Sequence, residues 1–283
     1  MKSSIRNIVI FALVSLTCGF VGNAVNNLYG PADSMQSLGV LIWLVSPLLA
    51  NLLLRALGGD GWADLGLGLK LKTGWPWYLA ALLIPVLLSL LPLLLGALAG
   101  SNALRGFYAG GLSAFLALLA ANFTGSMLKN IFEEFAWRGY LAARLEHTPA
   151  GTRLKVLITG WVWAGWHIPY YLYFLSPDVL RSQTALGVQA LIALAFLILP
   201  CQAFLYNELR LISGSVWPAW LLHTAANALS FSLVTGGSLA VTNRLTHVLL
   251  TPGTEGILYS LLAGLLGWYL HHRRSLLDRR RVY

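Results

Sequence analysis

Runs of apolar residues long enough to cross a bilayer recur from one end of the chain to the other, and nothing else restricts its fold so strongly. A helix needs about 20 such residues to cross the hydrocarbon, because each backbone polar group must be bonded within the segment itself. Measured against that length, the sequence predicts about eight spanning helices, near residues 7–27, 37–57, 75–98, 113–138, 154–175, 185–208, 213–234 and 254–271. The expected fold is therefore all-α: a polytopic bundle forming a single integral membrane domain over residues 1–283. Composition agrees, since 57% hydrophobic and only 10% charged residues exclude an ordinary soluble domain. No polar stretch is large enough to form one.

Between the runs lies the punctuation of loops: "YGPADSM", "GGDGWADLGLGLKLKTG" and "TPG". No internal repeat is visible, and "GALAG" carries the small-xxx-small spacing that lets helices approach closely. Lys2 and Arg6 precede the first run as in a signal peptide, but the apolar body is long and lacks a cleavage site, so an uncleaved first span is expected. Cys18 and Cys201 fall inside predicted spans and form neither a disulfide framework nor a metal-type spacing.

The net charge of +9 could suit nucleic acid, yet the basic residues are scattered over short loops and the tail, so no nucleic-acid partner is expected. Lipid headgroups explain them better. With the N-terminus inside, the inner face collects Lys2, Arg6, Arg55, Lys70, Lys72, Arg144, Arg153, Lys155, Arg210 and the tail "HHRRSLLDRRR", leaving Arg105, Arg181 and Arg244 outside. Both termini are then cytoplasmic. A bacterial cytoplasmic membrane is the expected location.

Ionisable residues inside spans are costly unless paired or facing a cavity. Those present are Lys129, Glu133, Glu134 and Arg138 in or at the end of the fourth span, His167 in the fifth, and His223 with Asn227 in the seventh. Glu134 and Arg138 are one helical turn apart, in the order that suits an ion pair, and such a pair can simply hold a helix end or orient its neighbours. Glu133 points about 100° away from Glu134 and needs a different partner. His167 has Trp163 one turn before it and Pro169 after it; a buried histidine can be no more than a hydrogen-bonder, but Pro169 is expected to break or kink the helix and could open a cavity beside it. His223 and Asn227 share one face, either bonding a neighbouring span or aiming two polar heads at one point. The other histidines, His147, His247, His271 and His272, are expected in solvent or at headgroup level. Together, a carboxylate, two imidazoles and an amide on three helices are the ingredients of a water-activating hydrolytic site in the inner half of the bilayer.

"EEFAWR", "WAGWH" and "HTAAN", in this order on successive helices over roughly residues 120–235, resemble the CAAX protease and bacteriocin-processing family of intramembrane endopeptidases, which includes the type II CAAX prenyl proteases. The resemblance implies that residues 120–235 form the catalytic core. It implies that Glu133 and His167 activate water, that His223 and Asn227 stabilise the oxyanion, and that Glu134 and Arg138 support them. Trp163 stands where the family usually has phenylalanine, which keeps an aromatic wall and bears on shape more than on chemistry.

The function so implied is cleavage of a hydrophobic or lipidated peptide or protein near the cytoplasmic face. Glu133, His167 and His223 would also make a zinc set. Without His-Glu-x-x-His spacing on one helix, a metal-free glutamate mechanism with no cofactor is favoured. Two other classes fit a bundle of this kind: a silent scaffold or immunity factor of the same fold, which would need none of these polar residues, and a proton-coupled transporter, for which inverted halves are missing.

Overall fold

The computed structural model describes residues 2–29 and 35–280. Residues 30–34, most of the "YGPADSM" loop, and residues 281–283 of the basic tail lie outside the described residues. The order of helices is α1 (Lys2–Tyr29), α2 (Leu38–Ala56), α3 (Leu71–Leu98), α4 (Arg105–Ala136), α5 (Ala142–Glu146), α6 (Thr152–Pro169), α7 (Pro177–Gln183), α8 (Val188–Ser213), α9 (Trp217–Ser230), α10 (Arg244–Leu250) and α11 (Ile257–Arg280). Wider π-turns follow α4 at Trp137–Leu141, α6 at Tyr170–Phe174 and α9 at Phe231–Thr235. A two-residue antiparallel pair, β1 (Asn102–Ala103) with β2 (Ala240–Val241), aligns Asn102 with Val241.

Five helical runs among the described residues are long and apolar enough to cross a membrane: Ser4–Tyr29, Leu38–Ala56, Leu71–Leu98, Gly110–Glu146 and Val188–Ser213. The other three predicted spans coincide with α6 and its π-turn, α9 and its π-turn, and α11, which are shorter or end in basic residues. Along α3, Leu79, Leu82, Leu83, Leu87, Leu90 and Leu94 are all exposed, a face that water would not tolerate and lipid would. The protein is an all-α, multi-pass integral membrane protein.

The fourth span differs from its predicted form. Gly111, at φ 70°, kinks α4 near its start, and helical structure continues through the π-turn and α5 to Glu146. Glu133, Glu134 and Arg138 therefore sit inside a long helical run instead of at its end.

Contacts divide the chain into two compact units. The first comprises Met1–Gly66, Lys129–Arg181 and Leu186–Pro200. Within it, α1 and α2 meet backbone to backbone at Gly22 and Gly39, where a Cβ on either would strike the other's carbonyl oxygen. Asn26 seals this contact: its Oδ1 accepts from the Gly39 N–H at 2.8 Å and its Nδ2 donates to Ser37 Oγ at 2.7 Å, while Ser37 caps α2. The core is aromatic. Trp43 and Trp166 stack at 4.0 Å and each indole N–H donates to the other's carbonyl; Trp137 meets Trp166 edge-on at 5.5 Å and Phe11 at 5.9 Å.

Charge closes the loop after α2. Arg55, read from the sequence as an inner-face cation, has a fully buried side chain paired with Asp64 at 2.6 Å. Arg144 pairs with Asp60 at 3.0 Å and Asp64 at 3.1 Å, and the exposed His147 reaches Asp64 at 3.1 Å. Burial pushes the Asp64 carboxyl up, but the hydrogen bond and charge of Arg55, joined by Arg144, outweigh it and hold the group below its ordinary value.

The second unit comprises Leu67–Leu128, Ser182–Ala185 and Cys201–Tyr283. Ala81 and Leu88 of α3, Leu205, Tyr206 and Leu209 of α8, Leu222 of α9, and Tyr259 and Ala263 of α11 form its core. Buried Glu208 binds Arg274 through both oxygens, at 2.8 and 3.0 Å, and His271 at 2.9 Å. The start of the tail, expected in solvent or at headgroup level, is thus anchored to α8. His247, for which the same was expected, is half-buried with its ring on Ser182 O at 3.2 Å, and burial lowers its pKa against the raising effect of that bond.

Two outcomes follow from this packing. Gly22→Leu lowers stability by about 1–3 kcal/mol, since the opposing atom is backbone and cannot step aside; unfolding in detergent measures it. Asp64 contributes stability that is complete above about pH 3.9, its unfolded value, and is lost as pH falls through the lower folded value. Thermal unfolding followed from neutral pH into that acid range should show this loss in wild type and less of it in Asp64→Asn.

Candidate active site

The predicted site residues are divided between the units: Glu133, Glu134, Arg138, Trp163 and His167 belong to the first, His223 and Asn227 to the second. On α4, Glu134 accepts from Arg138 Nη1 at 2.8 Å, and both side chains are fully buried. The predicted pair is present. The guanidinium also lies 4.4 Å from the centre of the Trp163 ring, a cation–π contact in a desolvated setting.

Glu133, for which the sequence demanded another partner, is engaged by Lys129 and Trp163. Lys129, one turn earlier, forms an ion pair with Oε1, and Trp163 Nε1 donates to Oε2 at 3.0 Å. The Glu133 side chain is 1% exposed and that of Lys129 31%, so the pair joins a buried carboxylate to a partly accessible ammonium. Lys129 had stood among the polar residues of the span without a role, although its spacing to Glu133 repeats that of Glu134 to Arg138.

Trp163 therefore does more than form a wall. Its N–H holds Glu133, its face holds Arg138, and its carbonyl faces His167 Nδ1 at 2.9 Å. A carbonyl only accepts, so Nδ1 of a neutral His167 carries the proton and Nε2 the lone pair. The His167 ring stacks on Tyr171 at 5.7 Å and meets Trp166 edge-on at 4.9 Å. Tryptophan in place of phenylalanine thus changes hydrogen bonding as well as shape.

Pro169 does not break its helix. The α-helix ends at Pro169 and continues as the π-turn Tyr170–Phe174, as expected where proline removes a backbone donor. In the second unit, His223 and Asn227 are both buried on one face of α9, with the Tyr206 ring edge-on to His223 at 5.5 Å. Trp220 Nε1 ties α9 to Met127 O at 2.9 Å.

The comparison with known families meets this geometry on the same segment. Residues 113–229 match the model of the type II CAAX prenyl endopeptidase Rce1-like family. The chain carries an Rce1-like domain. All seven predicted site residues lie inside the matched segment of this CAAX-type protease domain. No curated protein matches the chain. Among the described residues, no three His, Cys, Asp or Glu side chains form a group able to hold a metal ion.

In the Rce1-like domain, Trp163→Phe keeps the ring over Arg138 and deletes the N–H to Glu133. Loss of a hydrogen bond to a charged group corresponds to about 1.5–3 kcal/mol, expected as a lower unfolding free energy in detergent, with a larger loss in Trp163→Ala. Equal stability of Trp163→Phe and wild type would discount the bond.

Proposed function

We propose that the chain is an intramembrane endopeptidase that hydrolyses a peptide bond of a hydrophobic or lipidated substrate near the cytoplasmic face, using water activated by Glu133 and His167. The observation that carries this reading is the different engagement of two adjacent carboxylates. Glu134 is committed to a fully buried guanidinium, whereas Glu133 is held by an accessible ammonium and an indole N–H.

Glu133 accepts a proton as the water oxygen attacks the carbonyl carbon, and the carbonyl electrons move to its oxygen. His223 and Asn227 donate hydrogen bonds to that oxyanion. Its collapse breaks the C–N bond, and the leaving nitrogen takes the proton from Glu133. His167, protonated on Nδ1, offers Nε2 to the same water. Glu134, Arg138 and Trp163 fix the direction in which Glu133 points. A metal-free route is favoured because the Glu133 oxygens accept from Lys129 and Trp163. The distribution of Lys and Arg supports cytoplasmic termini.

A panel of fluorogenic peptides, some prenylated, tests the proposal with purified protein in liposomes. Wild type is expected to cleave, a folded Glu133→Gln variant to lose at least about 100-fold, and 1,10-phenanthroline to leave the rate unchanged. Equal cleavage by both proteins would remove Glu133 as the base; chelator-sensitive cleavage would replace the metal-free mechanism; wild-type silence with retained peptide binding would favour a scaffold.

A further inference from the structure

Outside the matched segment, α2 carries two buried polar side chains one turn apart, and both reach the main chain of the helix that bears the carboxylates. Asn51 Nδ2 donates to Phe135 O at 2.9 Å and Arg55 Nη2 to Gly139 O at 2.6 Å. The two donors are four residues apart on α2, and the two acceptors are four residues apart across the end of α4 and its π-turn. Phe135 directly follows Glu134, and Gly139 directly follows Arg138.

The rungs are joined to each other. Arg55 Nε donates to Asn51 Oδ1 at 2.8 Å, fixing which end of the amide faces Phe135. Arg55 Nη1 donates to Gly61 O at 2.5 Å and Asp64 Oδ1 at 2.6 Å, so the loop supplies the counter-charge. Beside it, Tyr140 of the π-turn donates to Asp60 at 2.6 Å.

A buried arginine is a weak source of stability, because desolvation offsets much of what its partners return; its planar fork is strong in orientation. A π-turn adds one residue to a helical turn, and one residue corresponds to about 100° of rotation. Holding one carbonyl just before that change, at Phe135, and one within it, at Gly139, fixes where the rotation falls. It thereby fixes the directions of Glu133, Glu134 and Arg138.

We propose that Asn51 and Arg55 are positioning residues for the Rce1-like site, setting the rotation of the carboxylate-bearing turn through the carbonyls of Phe135 and Gly139. This rests on the endopeptidase reading for its catalytic consequence and on the hydrogen bonds alone for its structural one. Asn51→Leu removes one rung at similar volume, Arg55→Lys keeps the charge and removes the fork, and Arg181→Lys, at an exposed site, is the control.

Two readouts are taken on full-length protein in detergent: hydrogen–deuterium exchange of the amides of residues 134–144, and kcat and KM on a cleaved peptide. Both ladder variants are expected to exchange faster over 134–144 and to lose about 10- to 100-fold in kcat, as displacement of catalytic groups does, with KM nearly unchanged. The control should match wild type. Unchanged exchange in folded variants would overturn the proposal, as would unchanged kcat, a loss confined to KM, or failure of both variants to fold, which would make the pair simple supports. Were wild type to cleave no peptide, the endopeptidase reading would fall, and exchange alone would still decide whether the pair holds the turn.

Discussion

A charge inside the hydrocarbon is tolerated only with its partners beside it, and the ion pair of Glu134 with Arg138 is the point from which much of the first unit is arranged. Both side chains are fully buried, and the arginine must be covered on its face as well as at its edge. The Trp163 ring covers the face, which places α6 against the end of α4. Once that ring is placed, its N–H falls on Glu133 and its carbonyl on His167. The requirement to neutralise one carboxylate therefore orients the other.

An aromatic scaffold keeps this arrangement from relaxing. Large rings carry few rotatable bonds, and indoles that bond one another's backbone lose little further freedom when packed. The reciprocal Trp43 and Trp166 bonds join α2 to α6, while Trp137 and Phe11 extend the cluster to the π-turn and α1. Trp166 in turn lies against the His167 ring at 4.9 Å, so the imidazole is backed by the same structure that joins the helices.

Much of this was legible in the sequence, and for definite reasons. Apolar length marks spans whatever they pack against, so the helical architecture was accessible even where α6, α9 and α11 proved shorter or less apolar than the other spans. Residues four apart on one helix share a face, so the Glu134–Arg138 pair and the alignment of His223 with Asn227 needed no tertiary information. The donor role of Trp163 escaped, because an indole serves as wall or donor depending on what lies opposite. Arg55 was assigned to the membrane face because a basic residue near a loop satisfies the charge rule equally well in lipid headgroups or in a buried network. Asn51 was passed over because an amide is not ionisable, and its partner is a carbonyl that no sequence pattern marks. His271 and Arg274 belonged to a basic tail until the acid on α8 was seen beside them.

The three π-turns have a genetic consequence. Each follows a motif helix, at Trp137–Leu141, Tyr170–Phe174 and Phe231–Thr235, and each amounts to a single extra codon carried within a helix. Removing the codon for Tyr140 or Leu141 from the first would leave the motif that ends at Arg138 letter-perfect. It would also turn everything downstream by about a quarter of a revolution, swinging Arg144 away from Asp60 and Asp64. In these helices a one-residue deletion is therefore a change of direction as well as of length, and its effect appears in residues that the deletion never touches.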